Sequence, residues 1–211
     1  MSATRLLHLL FTRALLSGLF MLIALSFVAQ LPDSDSFSKA AFRTLSCVLW
    51  SMFAVLVVIR PAPVLRGTDP IGIAAALSAQ FIFIGVGLLA RHGAGGHRVW
   101  IADALLLGGN AFALASLAAL GRCFGVLPDV RGLVTRGPYR IVRHPLYLGE
   151  LTATFGLALG AQRVWLALPA WLLCLSVQLV RTRYEEQGLR TAFPEYEEYA
   201  RRTRRLIPGI V

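Results

Sequence analysis

Charge is scarce in this chain. Only 15% of its 211 residues are charged, while 56% are hydrophobic. A soluble domain carries about a quarter charged residues, so water is excluded as the solvent for most of this surface and a bilayer is expected instead. Lysine is nearly absent: Lys39 stands alone, and the net charge of +10 comes almost wholly from arginine. Those arginines sit at the ends of apolar blocks, where lipid headgroups lie, and no nucleic-acid-binding motif accompanies them. A nucleic-acid partner is therefore not expected. Cysteine is limited to Cys47, Cys123 and Cys174, an odd count with no metal-ligand spacing. That excludes a disulfide framework and a cysteine metal site, and no metal is expected. No Ala-x-Ala site follows the apolar stretch from about Leu6 to Leu31, so a cleaved signal peptide is not expected. The sequence also lacks internal repeats, low-complexity linkers and a Gly-rich nucleotide loop.

Long apolar runs are abundant. A helix needs about 20 apolar residues to cross roughly 30 Å of hydrocarbon. The runs predict spans near residues 7–30, 40–60, 71–90 and 99–120, then two shorter ones near 146–161 and 164–180. The fold class expected is all-α: a polytopic membrane bundle of about six transmembrane helices, with a cytoplasmic loop and a helical tail. The division expected is 1–120 as membrane helices and 121–211 as a functional core. Gln162-Arg163 is a two-residue break that makes the last two spans a tight hairpin. Ser36 or Ser38 is expected to cap the second helix, Arg60-Pro61 to stop it, and Asp69-Pro70 to start the third. Gly108-Gly109 is expected to allow close helix approach. Arg91–His97 reads as a flexible turn, with His92 and His97 exposed rather than ligating. Pro194 is expected to separate two short helical pieces of the tail. With six spans, one side collects Arg60, Arg66, the arginines of 122–143 and those from Arg181 onward. The positive-inside bias places that side, and both termini, in the cytoplasm.

Chemistry concentrates in two polar clusters. The first runs from Arg131 to Tyr147, and the second is Arg181-Thr-Arg-Tyr-Glu-Glu186. They flank the short hairpin, which returns the chain to the side it left, so Arg143-His144 and Arg181–Glu186 are expected to be neighbours. Arg181 and Glu185 are four residues apart, one helical turn on one face. His144-Pro145 is a helix start, whose free N–H groups suit a carboxylate. Tyr139 and Tyr147 supply aromatic faces that accept a cation. Glu150 either faces this pocket or pairs with an arginine.

In order and spacing, these clusters resemble the isoprenylcysteine carboxyl methyltransferase family, within the wider group that includes phospholipid methyltransferases. The resemblance is carried by Leu133-Val-Thr-Arg-Gly-Pro-Tyr139, Arg143-His-Pro-Leu-Tyr147, Arg181-x-x-x-Glu185-Glu186, Tyr196-x-x-Tyr199 and Pro208. It covers roughly residues 120–208. It implies S-adenosylmethionine as cofactor, held at Arg131, Gly132, Leu133, Val134, Tyr139, His144, Pro145, Leu146, Tyr147 and Glu185. It implies a substrate-side, catalytic place for Arg181, with Glu186 beside it as the second catalytic candidate. Two positions depart from the eukaryotic members: Arg131 stands where they have histidine, and Phe124 stands near a cofactor-touching glutamine. The implied reaction is direct methyl transfer to a lipophilic small molecule or lipidated substrate, a carboxylate favoured. That acceptor enters from the membrane lipids while the cofactor enters from the cytoplasm. Alternatives are a phospholipid methyltransferase, an NADPH-dependent membrane enone or sterol reductase, and a non-enzymatic small transporter or scaffold.

Overall fold

The structure is a computed structural model that describes residues 3–89 and 98–207. It has seven α-helices among those residues: α1 Ala3–Ala29, α2 Phe37–Ile59, α3 Pro70–Leu89, α4 Arg98–Leu120, α5 Pro145–Gly160, α6 Val164–Ala192 and α7 Tyr196–Arg202. All six apolar runs read from the sequence are helical. The chain is an all-α membrane helical bundle. Among the described residues, four stretches are long and apolar enough to cross a membrane: Leu10–Ala29, Phe37–Ile59, Trp100–Cys123 and Val164–Ala192. Helix α5 has 16 residues, about 24 Å at 1.5 Å per residue, and falls short of a full crossing. The turn expected at Arg91–His97, with His92 and His97, lies outside the described residues, except that α4 begins at Arg98. Pro208 lies outside them too.

The helix boundaries follow local chemistry. Ser36 caps α2 by accepting from the Lys39 N–H. Asp69 starts α3: its carboxylate accepts from the N–H groups of Ile71 (2.9 Å) and Gly72 (3.1 Å), while Pro70 needs no partner there. Helix α2 stops at Ile59 because Pro61 follows Arg60. One expectation is corrected. Residues 181–192 are not a separate short helix; they are the last three turns of the 29-residue α6. No proline or glycine breaker lies at the polar change near Arg181, so the helix continues until Pro194.

The chain divides into two compact units, Met1–Pro61 and Ala62–Val211. The boundary expected at 120/121 marks a change in sequence character; by contact, α3 and α4 fall in the second unit. In the first unit, α1 and α2 are zipped by aromatic rings. Phe20 lies 5.6 Å from Trp50 and 5.7 Å from Phe53, and Phe27 meets Phe42 edge-on at 5.8 Å.

In the second unit, α4 and α5 approach so closely that side chains are excluded at their crossing. A Cβ on Gly109 would stand 2.4 Å from the Ala153 nitrogen. One on Gly149 would stand 2.6 Å from the Ala113 nitrogen, and one on Gly156 2.6 Å from the Ala102 oxygen. Small residues at this seam let two backbones touch without burying large side chains. Gly109 therefore does what the sequence predicted, whereas Gly108 faces open space. The α5–α6 hairpin closes over Ala158, Ala161 and Ala167, with Val86 of α3 completing that cluster. The Trp171 indole donates to the Leu151 carbonyl at 2.9 Å, so its polar atom is satisfied within the bundle. Gly121, at φ +54°, turns the chain out of α4 and into the loop that builds the site.

Candidate functional site

Three segments meet at the end of the bundle where α4 finishes and α5 begins. The first is the loop after α4. It is pinned by a short antiparallel bridge, in which Val130 donates to the Leu65 carbonyl (2.8 Å) and Val64 donates to the Val130 carbonyl (2.7 Å). The second is 137–144, a 3₁₀ turn (Gly137–Arg140) leading to α5. Gly137 has φ +60°, a left-handed conformation that suits glycine. The third is the polar end of α6 with α7 and the tail. The tail is strapped to the second segment: Arg143 N–H donates to the Arg204 carbonyl (2.7 Å) and His144 N–H to the Arg205 carbonyl (3.1 Å).

These segments enclose a cleft. Its walls include Arg131, Gly132, Leu133, Val134, Tyr139, His144, Leu146, Tyr147 and Glu185, nine of the ten residues expected to hold a cofactor. Pro145, the tenth, is buried in the first turn of α5 and is not on the wall. Sequence reading missed Leu120, Cys123, Asp129 and Leu189, which also line it, as do Phe124 and Arg143, which it had remarked on without placing them in the site. Tyr196 and Tyr199 line it as well; they were noticed as a motif but given no place in the site. Asp129 had a readable signal, an acid two residues before the arginine it pairs with. The leucines had none, since an apolar wall looks like any apolar run.

The expected neighbours do meet. His144 Nε2 lies 3.3 Å from Glu186 Oε1, and His144 Nδ1 lies 3.8 Å from Glu185 Oε2. The imidazole stacks on the Tyr147 ring with centroids 5.6 Å apart and planes within 7°. The Tyr147 hydroxyl donates to Glu185 Oε1 at 2.6 Å, a short bond typical of a charged acceptor. Glu185 has a fifth of its side chain exposed and faces the cleft. Glu150 does not reach the wall; it accepts from Gln178 at 3.4 Å.

The two residues expected to be catalytic stand behind the wall instead of on it. Arg181 is 2% exposed. Its Nε donates to Glu185 (3.0 Å), and its Nη2 donates to the carbonyls of Val126 (3.0 Å) and Gly125 (3.4 Å). Its guanidinium lies 4.6 Å from the Tyr147 ring centre. Arg181 therefore braces two cleft residues and one cleft loop. Glu186 is fully buried. It accepts from Arg143 Nε (2.9 Å), from Arg205 Nε (3.0 Å) and from Arg205 Nη2 (2.9 Å). With its oxygens this occupied, Glu186 locks the tail to the bundle. Both side chains are committed to protein partners at depth, and in this structure they reach the cleft through their neighbours.

Electrostatics keep the aromatic wall neutral. Burial, with Glu185 next, pushes the Tyr139 phenol well above its ordinary range. Burial pushes Tyr199 up to about 12 and Tyr196 higher still. The Tyr199 hydroxyl donates to the Tyr139 carbonyl at 2.8 Å, fixing the 3₁₀ turn against α7. On the tail, the hydrogen bond to Glu186 raises the Arg205 pKa, so that cation persists. The arrangement can hold a molecule with a cationic part against Glu185 and the ring faces, an aromatic part among the tyrosines, and apolar atoms against the leucines.

Residues 97–196 match the phospholipid methyltransferase family. The chain is similar to the cobalt-zinc-cadmium resistance protein CzcN of Cupriavidus metallidurans, 40% identical over 119 residues, covering 53% of this chain and 52% of that protein. It is similar to the nickel-cobalt-cadmium resistance protein NccN of Alcaligenes xylosoxydans xylosoxydans, 34% identical over 116 residues, with 53% of each covered. The chain thus spans about half the length of the curated relatives it matches. No solved structure matches it significantly. The family match and the apolar helices together support a membrane methyltransferase.

Proposed function

We propose that this chain transfers a methyl group from S-adenosylmethionine to a lipophilic acceptor held in the bilayer. One observation carries the reading. The cleft falls within the stretch that matches the methyltransferase family for most of its wall, and it gathers the ordered polar motifs into one place.

The residues present suit the cofactor. Glu185 offers a carboxylate for an ammonium or for ribose hydroxyls. Tyr139, Tyr147 and His144 offer aromatic faces for an adenine or a sulfonium. S-adenosylmethionine, when bound, supplies an electrophilic methyl on a good leaving group. The protein's task is then alignment, which lowers the barrier by fixing geometry in advance. Arg181 holds Glu185 and the Tyr147 ring in register, and the His144–Tyr147 stack sets the wall. Leu120, Leu133, Leu146 and Leu189 exclude water from that wall.

The acceptor we favour is a lipophilic carboxylate of the isoprenylcysteine kind, because a carboxylate is already deprotonated near neutral pH. A phospholipid amine is the second reading, favoured by the family that matches residues 97–196. We place the cleft and both termini on the cytoplasmic side, following the arginine bias. Both relatives carry metal-resistance names. Among the described residues no three His, Cys, Asp or Glu side chains gather as metal ligands. We read the resistance link as methylation of a membrane component.

The test is calorimetry with S-adenosylhomocysteine and with NADPH on detergent-purified protein. Labelled-methyl transfer into a total lipid extract follows, with the product identified. Binding of NADPH in place of the nucleoside would move the chain to the reductases.

A further inference from the structure

Three arginines stand around the cleft, and their donors are used differently. Arg143 commits Nε to Glu186 and Nη1 to the carbonyls of Ala200 and Thr203. Arg181 commits Nε to Glu185 and Nη2 to two loop carbonyls. Arg131 commits Nη2 alone, to Asp129 Oδ2 at 2.9 Å. Its Nε and Nη1 are buried and meet no acceptor among the described residues. The side chain is 4% exposed and lies on the cleft wall. A buried guanidinium with open donors is costly until a ligand or an ordered water supplies the acceptor, because the stripped N–H groups lose their hydration.

The surroundings hold those donors in place. The other carboxylate oxygen of Asp129 accepts from the Gly67 N–H at 3.3 Å, so the Arg131–Asp129 pair is tied to the α2–α3 connection. A Cβ on Gly125 would stand 2.6 Å from Arg131 Nη1, so glycine keeps the guanidinium's place clear. A charged arginine N–H without a partner suits an oxygen of a carboxylate or a phosphate.

We infer that Arg131, aimed by Asp129 and admitted by Gly125, is a receptor for an anionic oxygen of the cleft's ligand. The group is a carboxylate or phosphate. Its source is either the amino-acid end of the cofactor or an acidic headgroup on the acceptor. Opposite charges then divide the cleft, Glu185 taking cations and Arg131 taking anions. The inference deepens the methyltransferase reading and depends on it only for the first of these sources.

The experiment uses the full chain in detergent, with calorimetry on two matched probe pairs. One pair is S-adenosylhomocysteine and its decarboxylated analogue. The other is dihexanoyl phosphatidic acid and dihexanoyl glycerol. Arg131→Gln is expected to weaken the charged member of one pair by about 10- to 100-fold and to leave its neutral counterpart unchanged. Loss confined to the nucleoside pair assigns the anion to the cofactor; loss confined to the lipid pair assigns it to the acceptor. Where Arg131→Gln does not fold, Arg131→Lys carries the test: it keeps the charge and loses the planar spread of donors, and a several-fold loss on the charged probe alone is expected. A folded variant of either kind that binds both charged probes as tightly as the native chain overturns the inference, and Arg131 is then only a partner for Asp129. Loss that is equal on charged and neutral members also overturns it. A native chain that binds the lipid acid through Arg131 but not the nucleoside keeps this inference and sinks the methyltransferase reading. A native chain that binds neither charged probe sinks both.

Discussion

Replacing Glu186 by glutamine isolates what the buried carboxylate does. The substitution keeps shape and removes charge from a side chain that is fully buried and receives three arginine N–H donors. Breaking one side of a buried ionic network costs about 3–5 kcal/mol, because the remaining charges stay desolvated. Here the lower end applies. Arg143 retains two carbonyl acceptors, and a fifth of the Arg205 side chain is exposed and can rehydrate. About 3 kcal/mol corresponds to roughly 100-fold in an equilibrium constant. The lesion is local, since Glu186 joins α6 to the segment around Arg143 and to the tail at Arg205. The tail at 203–207 should therefore open far more often while the bundle stays folded. Trypsin reads this directly, because Arg201, Arg202, Arg204 and Arg205 are cleavage sites that need an unfolded strap. Cleavage limited by opening should accelerate about 100-fold, with no matching change in the thermal unfolding of the membrane helices. Equal cleavage of variant and native chain would show that the strap is held by the backbone pairing at Arg204 and Arg205, and the carboxylate hub would lose its role.

Three further outcomes are expected. Gly109→Ala should destabilise the bundle by about 1–3 kcal/mol through overpacking, because its Cβ meets the Ala153 backbone; Gly108→Ala, facing open space, should lie within about 0.5 kcal/mol of the native chain, and equal thermal shifts for the pair would contradict the seam. Glu185→Ala should weaken S-adenosylhomocysteine by about tenfold or more and Tyr147→Phe by less, since the first removes a charged wall group and the second only the donor that orients it; unchanged affinity in both would take this face out of the site. Arg181→Lys should weaken nucleoside binding together with turnover, because lysine cannot hold Glu185 and two loop carbonyls at once; normal binding with turnover lost would return Arg181 to the acceptor side.

Much of this protein was legible in the sequence, for definite reasons. Six apolar runs became six helices because length and hydropathy decide helix formation in lipid, where every backbone group must be satisfied locally. Ser36, Asp69-Pro70 and Arg60-Pro61 set helix ends because caps and proline act within one turn. The meeting of His144 with Glu185 and Glu186 followed from a tight hairpin that must bring its ends together. Nine cofactor candidates reached one cleft because they lie on three segments joined at that end of the bundle.

Tertiary structure decided the rest. A sequence displays that arginines and glutamates are present but not which donors they have left. Arg181 and Arg131 look alike in one dimension; depth and partners made the first a brace and left the second, on the cleft wall, with two buried N–H donors that meet no acceptor among the described residues. Glu186 read as a reactive acid beside Glu185, yet a one-residue step around the helix, about 100°, turns it from the cleft toward Arg143 and Arg205. The division at 61/62, which places α3 and α4 with the functional core, was likewise invisible. For α4 the join to α5 rests on Gly109, Gly149 and Gly156 meeting across two helices, a match between faces that only folding brings together.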